Sequence, residues 1–473
     1  MRHFLAFLAL GIAAALQASV PTSSIDDFIA AEMPASGAPG LAYAVVENGE
    51  IRAGGFGETV LGSGREVTPD TPFALGSITK SFTGLAVMKL VEAGSLDLDS
   101  GIAQYLDAFS DRPSGAITAR QLLSHTSGLS TVQGNDAHSD VSGRAANLAD
   151  QVAKIAQWTP AYAPGEKWEY SNANYQLLGA LIEAVSGKSY SSFVRAEILD
   201  PLGMENSYVD DIGADVNMAI GHTPWFNTKR PIAGGEINSA MTPAGGVIAS
   251  ANDVALYLAM MMNGEDDIVS AQSKAILMQP ASELSFFYGL GWYIDNENGT
   301  VSHSGSTPGN ETLATMKLSE NKGVVVLVNG GSGIGFGETA GLRNGITARA
   351  LGLDYDGEGG RWQQKILYLS MVLLPVFFLI CIAWAWRHRT QLQEKRQSAF
   401  GQFSLWFPLL MTLGIAWSFY FLIPPLFAGG SMGTLELFLP DLAFVMKAAA
   451  ITGVLWAVIR LVLAFGRKRT SQA

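Results

Sequence analysis

The sequence predicts an exported α+β domain followed by three membrane-spanning helices. Three observations carry that prediction. Strand-like segments lie at both ends of the region before residue 354, and helix-like segments fill its middle. Three long apolar runs follow that region. A short apolar stretch behind a basic start opens the chain.

The opening stretch is "MRHFLAFLALGIAAALQASVP". Arg2 supplies the positive start, Phe4 to Leu16 the apolar core, and small residues follow near Ala18. This is the build of a cleaved secretory signal, expected over residues 1–18. Next, "LAYAVVENGEIRAGGFG" alternates apolar and polar residues around Asn48-Gly49, a hairpin signal. A helix is expected from Ser77 to Gly94 and another from Asn174 to Gly187, each ending in a glycine suited to a left-handed cap. After residue 287, "YGLGWYI", "TVSHSG", "ETLATMKL" and "GVVVLVNG" read as short strands. "GFGETAGLRNGITARALG" reads as a closing helix. The arrangement favours one antiparallel sheet built from both termini, flanked by helices and carrying a helical insert. Residues 19–353 are assigned to this domain and 354–365 to a linker.

The membrane part is expected over residues 366–469, with spans near 366–386, 403–427 and 442–465. About 20 apolar residues cross a bilayer as a helix. The third span holds Lys447 and Arg460 near its ends, where long side chains reach the headgroups. "RHRTQLQEKR" lies between the first two spans and "GRKR" follows the third. The loop between the second and third carries Glu436 and Asp441 and no Lys or Arg. Basic loops stay in the cytoplasm. The expected topology is therefore a multi-pass plasma (inner) membrane protein with its large domain outside the cytoplasm.

Composition excludes several functions. A formal charge of −12 argues against a nucleic-acid partner, which needs clustered Lys and Arg. The single cysteine, Cys381, allows no internal disulfide. The six histidines show no metal-ligand spacing, so neither metal nor other cofactor is expected.

Chemistry is carried by three short motifs. In "GSITKSFTGL", Ser77 and Lys80 lie one helical turn apart. A serine hydroxyl needs a base to become a nucleophile, and a lysine serves only once desolvation frees its lone pair. In "WEYSNANY", Tyr170 is a second candidate base if cations flank it, and Asn172 can donate to a substrate carbonyl. In "SHSGSTPGN", a strand ending in small residues lets a substrate lie along its edge. The N–H groups of Ser77 and Ser306 form a candidate oxyanion hole, worth about 3 kcal/mol per donor. His303 is a candidate source of hydrogen bonding or positive charge.

The order Ser-x-x-Lys, Tyr-x-Asn, His-x-Gly resembles the active-site-serine penicillin-recognising hydrolases: class C β-lactamases, D-Ala-D-Ala carboxypeptidases, D-aminopeptidases and related esterases. The resemblance extends through "LLSHTSGLS", "APGEKWEYSNANYQLLGALIE", "ILDPLGMENS", "PAGGVIASANDVALYL" and "YGLGW", and covers nearly all of residues 25 to 350. It implies the serine β-lactamase-like fold, an acyl-enzyme on Ser77, and proton work shared by Lys80 and Tyr170, with the acylation base left open. It also implies substrate binding by Asn172 and by His303, Ser304, Gly305 and Ser306. Where class C enzymes carry Lys-Thr-Gly, this chain has His303-Ser304-Gly305, so the permanent charge that binds a substrate carboxylate is missing. The expected function is a membrane-anchored serine hydrolase acting on small peptides or esters, with D-amino-acid-containing, peptidoglycan-derived material as one candidate. The alternatives are an esterase with no wall role and a non-catalytic envelope sensor using the same pocket.

Overall fold

The computed structural model describes residues 24–139, 147–209, 217–232, 239–334, 337–355, 357 and 362–466. The expected signal segment lies outside the described residues, as do residues 356 and 358–361 of the expected linker.

Six strands form one antiparallel sheet: β1 (Gly40–Glu47), β2 (Glu50–Gly57), β3 (Tyr293–Asp295), β4 (Thr300–Thr307), β5 (Asn310–Lys317) and β6 (Lys322–Val328). Their spatial order is β2-β1-β6-β5-β4-β3, so the two ends of the domain meet at the β1–β6 pair. There Val45 faces Val324 and Glu47 faces Lys322. The Asn48-Gly49 turn closes β1 on β2, with Glu47 opposite Glu50 and both turn residues at positive φ, 50° and 85°. Mirror-image turns of this kind match the strand twist.

Strand periodicity sorts side chains onto two layers. Ala42, Ala44 and Val46 of β1, with Val325 and Leu327 of β6, enter the main core. Leu41 and Val45, with Val324, Val326 and Val328, face a second cluster containing Phe28 and Ile29 of helix α1 (Ile25–Ser36) and Leu342 and Ile346 of the closing helix. Each fully buried aliphatic side chain contributes roughly 1.5–3 kcal/mol.

Helix α2 (Thr79–Glu92) runs through the main core, preceded by a 3₁₀ turn at Gly76–Ile78 and followed by Gly94 at φ 68°. The helix expected to begin at Ser77 thus starts with that tighter turn. Helix α3 (Asn172–Ser186) ends on Gly187 at φ 68°. Helix α4 (Ala340–Leu351) is the closing helix, capped by Gly352. Of "YGLGWYI" only Tyr293 onward is strand. Gly291 adopts φ 99° and a Cβ there would come within 2.9 Å of the Lys80 carbonyl, so the segment turns against α2, with Tyr288 bridging back to Tyr293.

Three apolar helices long enough to cross a membrane follow: Trp362–Arg387, Ala399–Leu426 and Pro440–Phe465. The third does not hold Arg460 outward as expected. Arg460 is buried and donates to the Ser404 carbonyl of the second helix, 3.3 Å away. Lys447 pairs with Glu436. Hydrogen bonds are among the contacts that tie this part to the large domain. Asp441 accepts from the Phe226 N–H (2.9 Å) and from the Tyr368 hydroxyl (2.6 Å). Asn135 donates to the Gly429 carbonyl (3.0 Å).

Candidate active site

Ser77 is partly exposed in a run of buried neighbours, Phe73 to Lys80. The Leu75 N–H donates to the Val247 carbonyl (2.9 Å), which pins the start of the turn. Gly76, at φ 57°, lies against β4, and a Cβ there would come 2.8 Å from the Ser306 nitrogen. Gly305 is tighter still: a Cβ would sit 1.9 Å from the Leu75 carbonyl and 2.3 Å from Thr312 Oγ1. Glycine at both positions therefore lets β4 approach Ser77 closely. That brings the Ser77 and Ser306 backbones into one corner of the site.

Lys80 is fully buried. Its Nζ lies 2.9 Å from Ser77 Oγ, 2.8 Å from Asn172 Oδ1 and 2.7 Å from the Ala244 carbonyl. Burial holds the amine well below its usual range. The partners suit a neutral amine. Asn172 Oδ1 and the Ala244 carbonyl accept only; in the unprotonated amine they take its two N–H bonds, which leaves a lone pair toward Ser77 Oγ. Ala244 acts through its backbone, which leaves no mark in a side-chain motif.

The Tyr170 hydroxyl donates to Ser77 Oγ (2.8 Å). Burial raises its pKa well above that of a free phenol. The flanking by two cations that would ionise it is not found. Lys80 Nζ lies 4.9 Å from its ring centroid, and burial pushes both Lys80 and His303 toward their neutral forms. His303 is 1% exposed, and burial pushes it down to about 3. Its Nδ1–H donates to the Ser304 carbonyl (2.7 Å) and its Nε2 accepts from the Tyr288 hydroxyl (3.1 Å). The third motif thus contributes shape and hydrogen bonding, with no cation.

His125 braces the tyrosine from behind. Its carbonyl accepts from the Glu169 N–H (2.9 Å) and its Nδ1 from the Ser171 N–H (3.2 Å), one on each side of Tyr170. Its ring lies 4.4 Å from the Tyr170 ring. His125 sits in "LLSHTSGLS", a stretch that drew notice as a whole but yielded no site residue.

A cavity of about 470 Å³ opens over Ser77, lined by Tyr170, Tyr293, His303, Ser306, Glu311 and Arg343 among others. Glu311 and Arg343, both in its lining, lie 4.0 Å apart and offset each other's charge. The structure thus brings Ser77, Lys80, Tyr170 and Asn172 into one hydrogen-bonded cluster. It places His303, Ser304, Gly305 and Ser306 along the cavity wall.

The family model described as Beta-lactamase matches residues 25–348. Protein flp of Staphylococcus aureus strain MRSA252 is 27% identical over 410 residues, covering 84% of this chain and 81% of that protein. The same-named protein of strain N315 is 29% identical, covering 64% of this chain and 62% of its own length. Among solved structures, the octameric penicillin-binding protein homologue from Pyrococcus abyssi is 30% identical. It has a TM-score of 0.62 and covers 70% of this chain and 77% of its own. SurE with D-Leu is 26% identical with a TM-score of 0.58, covering 70% and 75%.

Proposed function

Because the chain belongs to the beta-lactamase family of serine hydrolases, we propose that it forms an acyl-enzyme on Ser77, with Lys80 as the acylation base and Tyr170 as a protonated acid. The observation that carries this is the hydrogen-bond polarity around Lys80. Two pure acceptors, Asn172 Oδ1 and the Ala244 carbonyl, lie within 2.8 Å of Nζ, and Ser77 Oγ lies at 2.9 Å; with the amine neutral, those two acceptors take its N–H groups and its lone pair is turned to the nucleophile.

In acylation, Ser77 Oγ attacks the substrate carbonyl and its proton passes to Lys80 Nζ. The Ser77 and Ser306 N–H groups receive the oxyanion. As the tetrahedral intermediate collapses, the bond to the leaving nitrogen or oxygen breaks, and that atom takes the Tyr170 proton. The ammonium of Lys80 then reprotonates the tyrosinate. Water attacks the acyl-enzyme and gives its proton to Lys80; as the bond from the carbonyl carbon to Ser77 Oγ breaks, Lys80 passes that proton to Oγ, which restores the serine hydroxyl and the neutral amine.

The substrate class is a short peptide, amide or ester. The D-Leu held by the related SurE supports a D-configured residue beside the scissile bond. The neutral His303 and the paired Glu311–Arg343 favour a neutral acyl group over one with a free carboxylate. This observation supports the esterase-like reading within the same mechanism. The basic residues Arg387 to Arg396 support a cytoplasmic first loop and an extracytoplasmic catalytic domain. On this reading the linker and the three helices tether the catalytic domain to the bilayer.

The test is labelling of the full chain by a fluorescent phosphonate and by a fluorescent penicillin, beside Ser77→Ala. Phosphonate labelling that vanishes in the variant is expected, with weaker penicillin labelling. Labelling that survives Ser77→Ala, or none in folded wild type, would refute the assignment.

A further inference from the structure

We infer that Asn135 is a positioning residue through which the loop between the second and third membrane helices orients the Asn172 amide, and with it the Lys80 amine. The inference rests on the acylation role given to Ser77 and Lys80 above.

The argument follows hydrogen-bond polarity. A backbone carbonyl only accepts. Gly429, in the loop after the second membrane helix, presents its carbonyl to Asn135 Nδ2 at 3.0 Å. Asn135 must therefore turn its NH₂ toward the loop and its oxygen away. That oxygen accepts from Asn172 Nδ2 at 2.7 Å. Asn172 must then aim Oδ1 at Lys80 Nζ, which donates to it at 2.8 Å. A flipped Asn172 amide would turn an NH₂ toward the amine and claim the lone pair that Ser77 needs. With Asn135 turned to this acceptor, the direction of each bond follows as far as Lys80 Nζ.

The contact is built for close approach. Gly429 has φ 58°, and a Cβ there would come 2.8 Å from Thr131 Cγ2 and 3.1 Å from Asn135 Nδ2. The next helix, Met432–Phe438, is capped by Ser431 and packs on the turn Asp136–Ser139 that follows Asn135. Thr131, one turn before Asn135, holds the Tyr170 carbonyl through its hydroxyl (2.6 Å). The loop therefore bears on both arms of the site. A single span would anchor the domain but would have no such loop, which gives the second and third helices a task beyond tethering.

Lys80 is faced by the phenols of Tyr170 and Tyr175 and by the imidazoles of His125 and His303. Burial keeps the phenols protonated and the imidazoles neutral, so a carboxylate introduced at Asn135 would be the dominant new charge.

The experiment measures phosphonate labelling of Ser77 against pH in the full chain in bilayer discs, for wild type, Asn135→Asp, Gly429→Ala and the double variant. Melting curves confirm that each is folded. Asn135→Asp keeps the acceptor for Asn172 but offers no N–H to Gly429. It is expected to slow labelling about tenfold at neutral pH and to move the acid limb to higher pH. Gly429→Ala is expected to slow labelling by a similar factor, and the double variant to be no slower than the slower single one. The relay is overturned if either single variant labels at the wild-type rate. It is also overturned if the two effects multiply, or if Asn135→Asp slows labelling without moving the limb. Folded wild type that fails to label would instead bring down the Ser77 reading, and the relay with it.

Discussion

Replacing Tyr170 by Phe separates the two proton-handling groups. The variant removes one neutral hydrogen bond, the 2.8 Å contact from the phenol to Ser77 Oγ. Such a bond is worth roughly 0.5–1.5 kcal/mol, so nucleophile positioning alone accounts for a loss of up to about tenfold. Lys80 keeps its three partners, so proton removal from Ser77 continues. For an activated aryl ester, whose leaving group departs unprotonated, Tyr170→Phe is expected to cost no more than about tenfold in acylation. For an amide, the leaving nitrogen needs the phenol proton, and the loss should reach about 10²–10⁴. Lys80→Met should cost that larger factor on both substrates. The pH dependence follows in sign. Lys80 must be neutral, so acylation is present above its lowered pKa and lost as pH falls through it. Tyr170 must be protonated, so the alkaline limb appears only near its raised pKa. The assay is single-turnover acylation with a matched ester and amide across pH. Equal losses on ester and amide in Tyr170→Phe would show that the phenol, as phenolate, is the acylation base, and would refute the assignment.

Three further outcomes are expected. Gly305→Ala should destabilise the domain by about 1–3 kcal/mol or more and abolish labelling, because its Cβ meets the Leu75 carbonyl; a melting curve like wild type would contradict the packing argument. His303→Gln should leave the pH profile unchanged between about pH 5 and 8, since a histidine held down to about 3 does not titrate there; a shifted limb would show that His303 carries charge. Glu311→Gln should leave Arg343 unbalanced and lower KM several-fold for substrates with a free carboxylate, while neutral esters stay unchanged; equal KM changes for both would remove the pair from substrate selection.

The sequence by itself determined what short-range physics controls. The Asn48-Gly49 turn, the glycine stops at Gly94 and Gly187, and the three apolar helices follow from backbone conformation, periodicity and length. So does the one-turn spacing of Ser77 and Lys80. The motifs also named Tyr170, Asn172 and the His303–Ser306 wall, because those side chains must be of fixed chemical type. Only the tertiary structure decided their charge states. Burial pushes the Lys80 amine toward its neutral form, and distant Ala244 gives it an acceptor through its backbone carbonyl, a group any residue could supply. Of the two roles open to His303, hydrogen bonding or positive charge, burial favours the first, and its ring nitrogens meet Tyr288 and the Ser304 carbonyl. Arg460 turned inward because a backbone carbonyl of a neighbouring helix was within reach. The bond from Asn135 to Gly429 joins segments with no sequence pattern in common. The reason is the same in each case: desolvation and hydrogen-bond polarity are set by groups far away in the chain, and those neighbours exist only once the chain has folded.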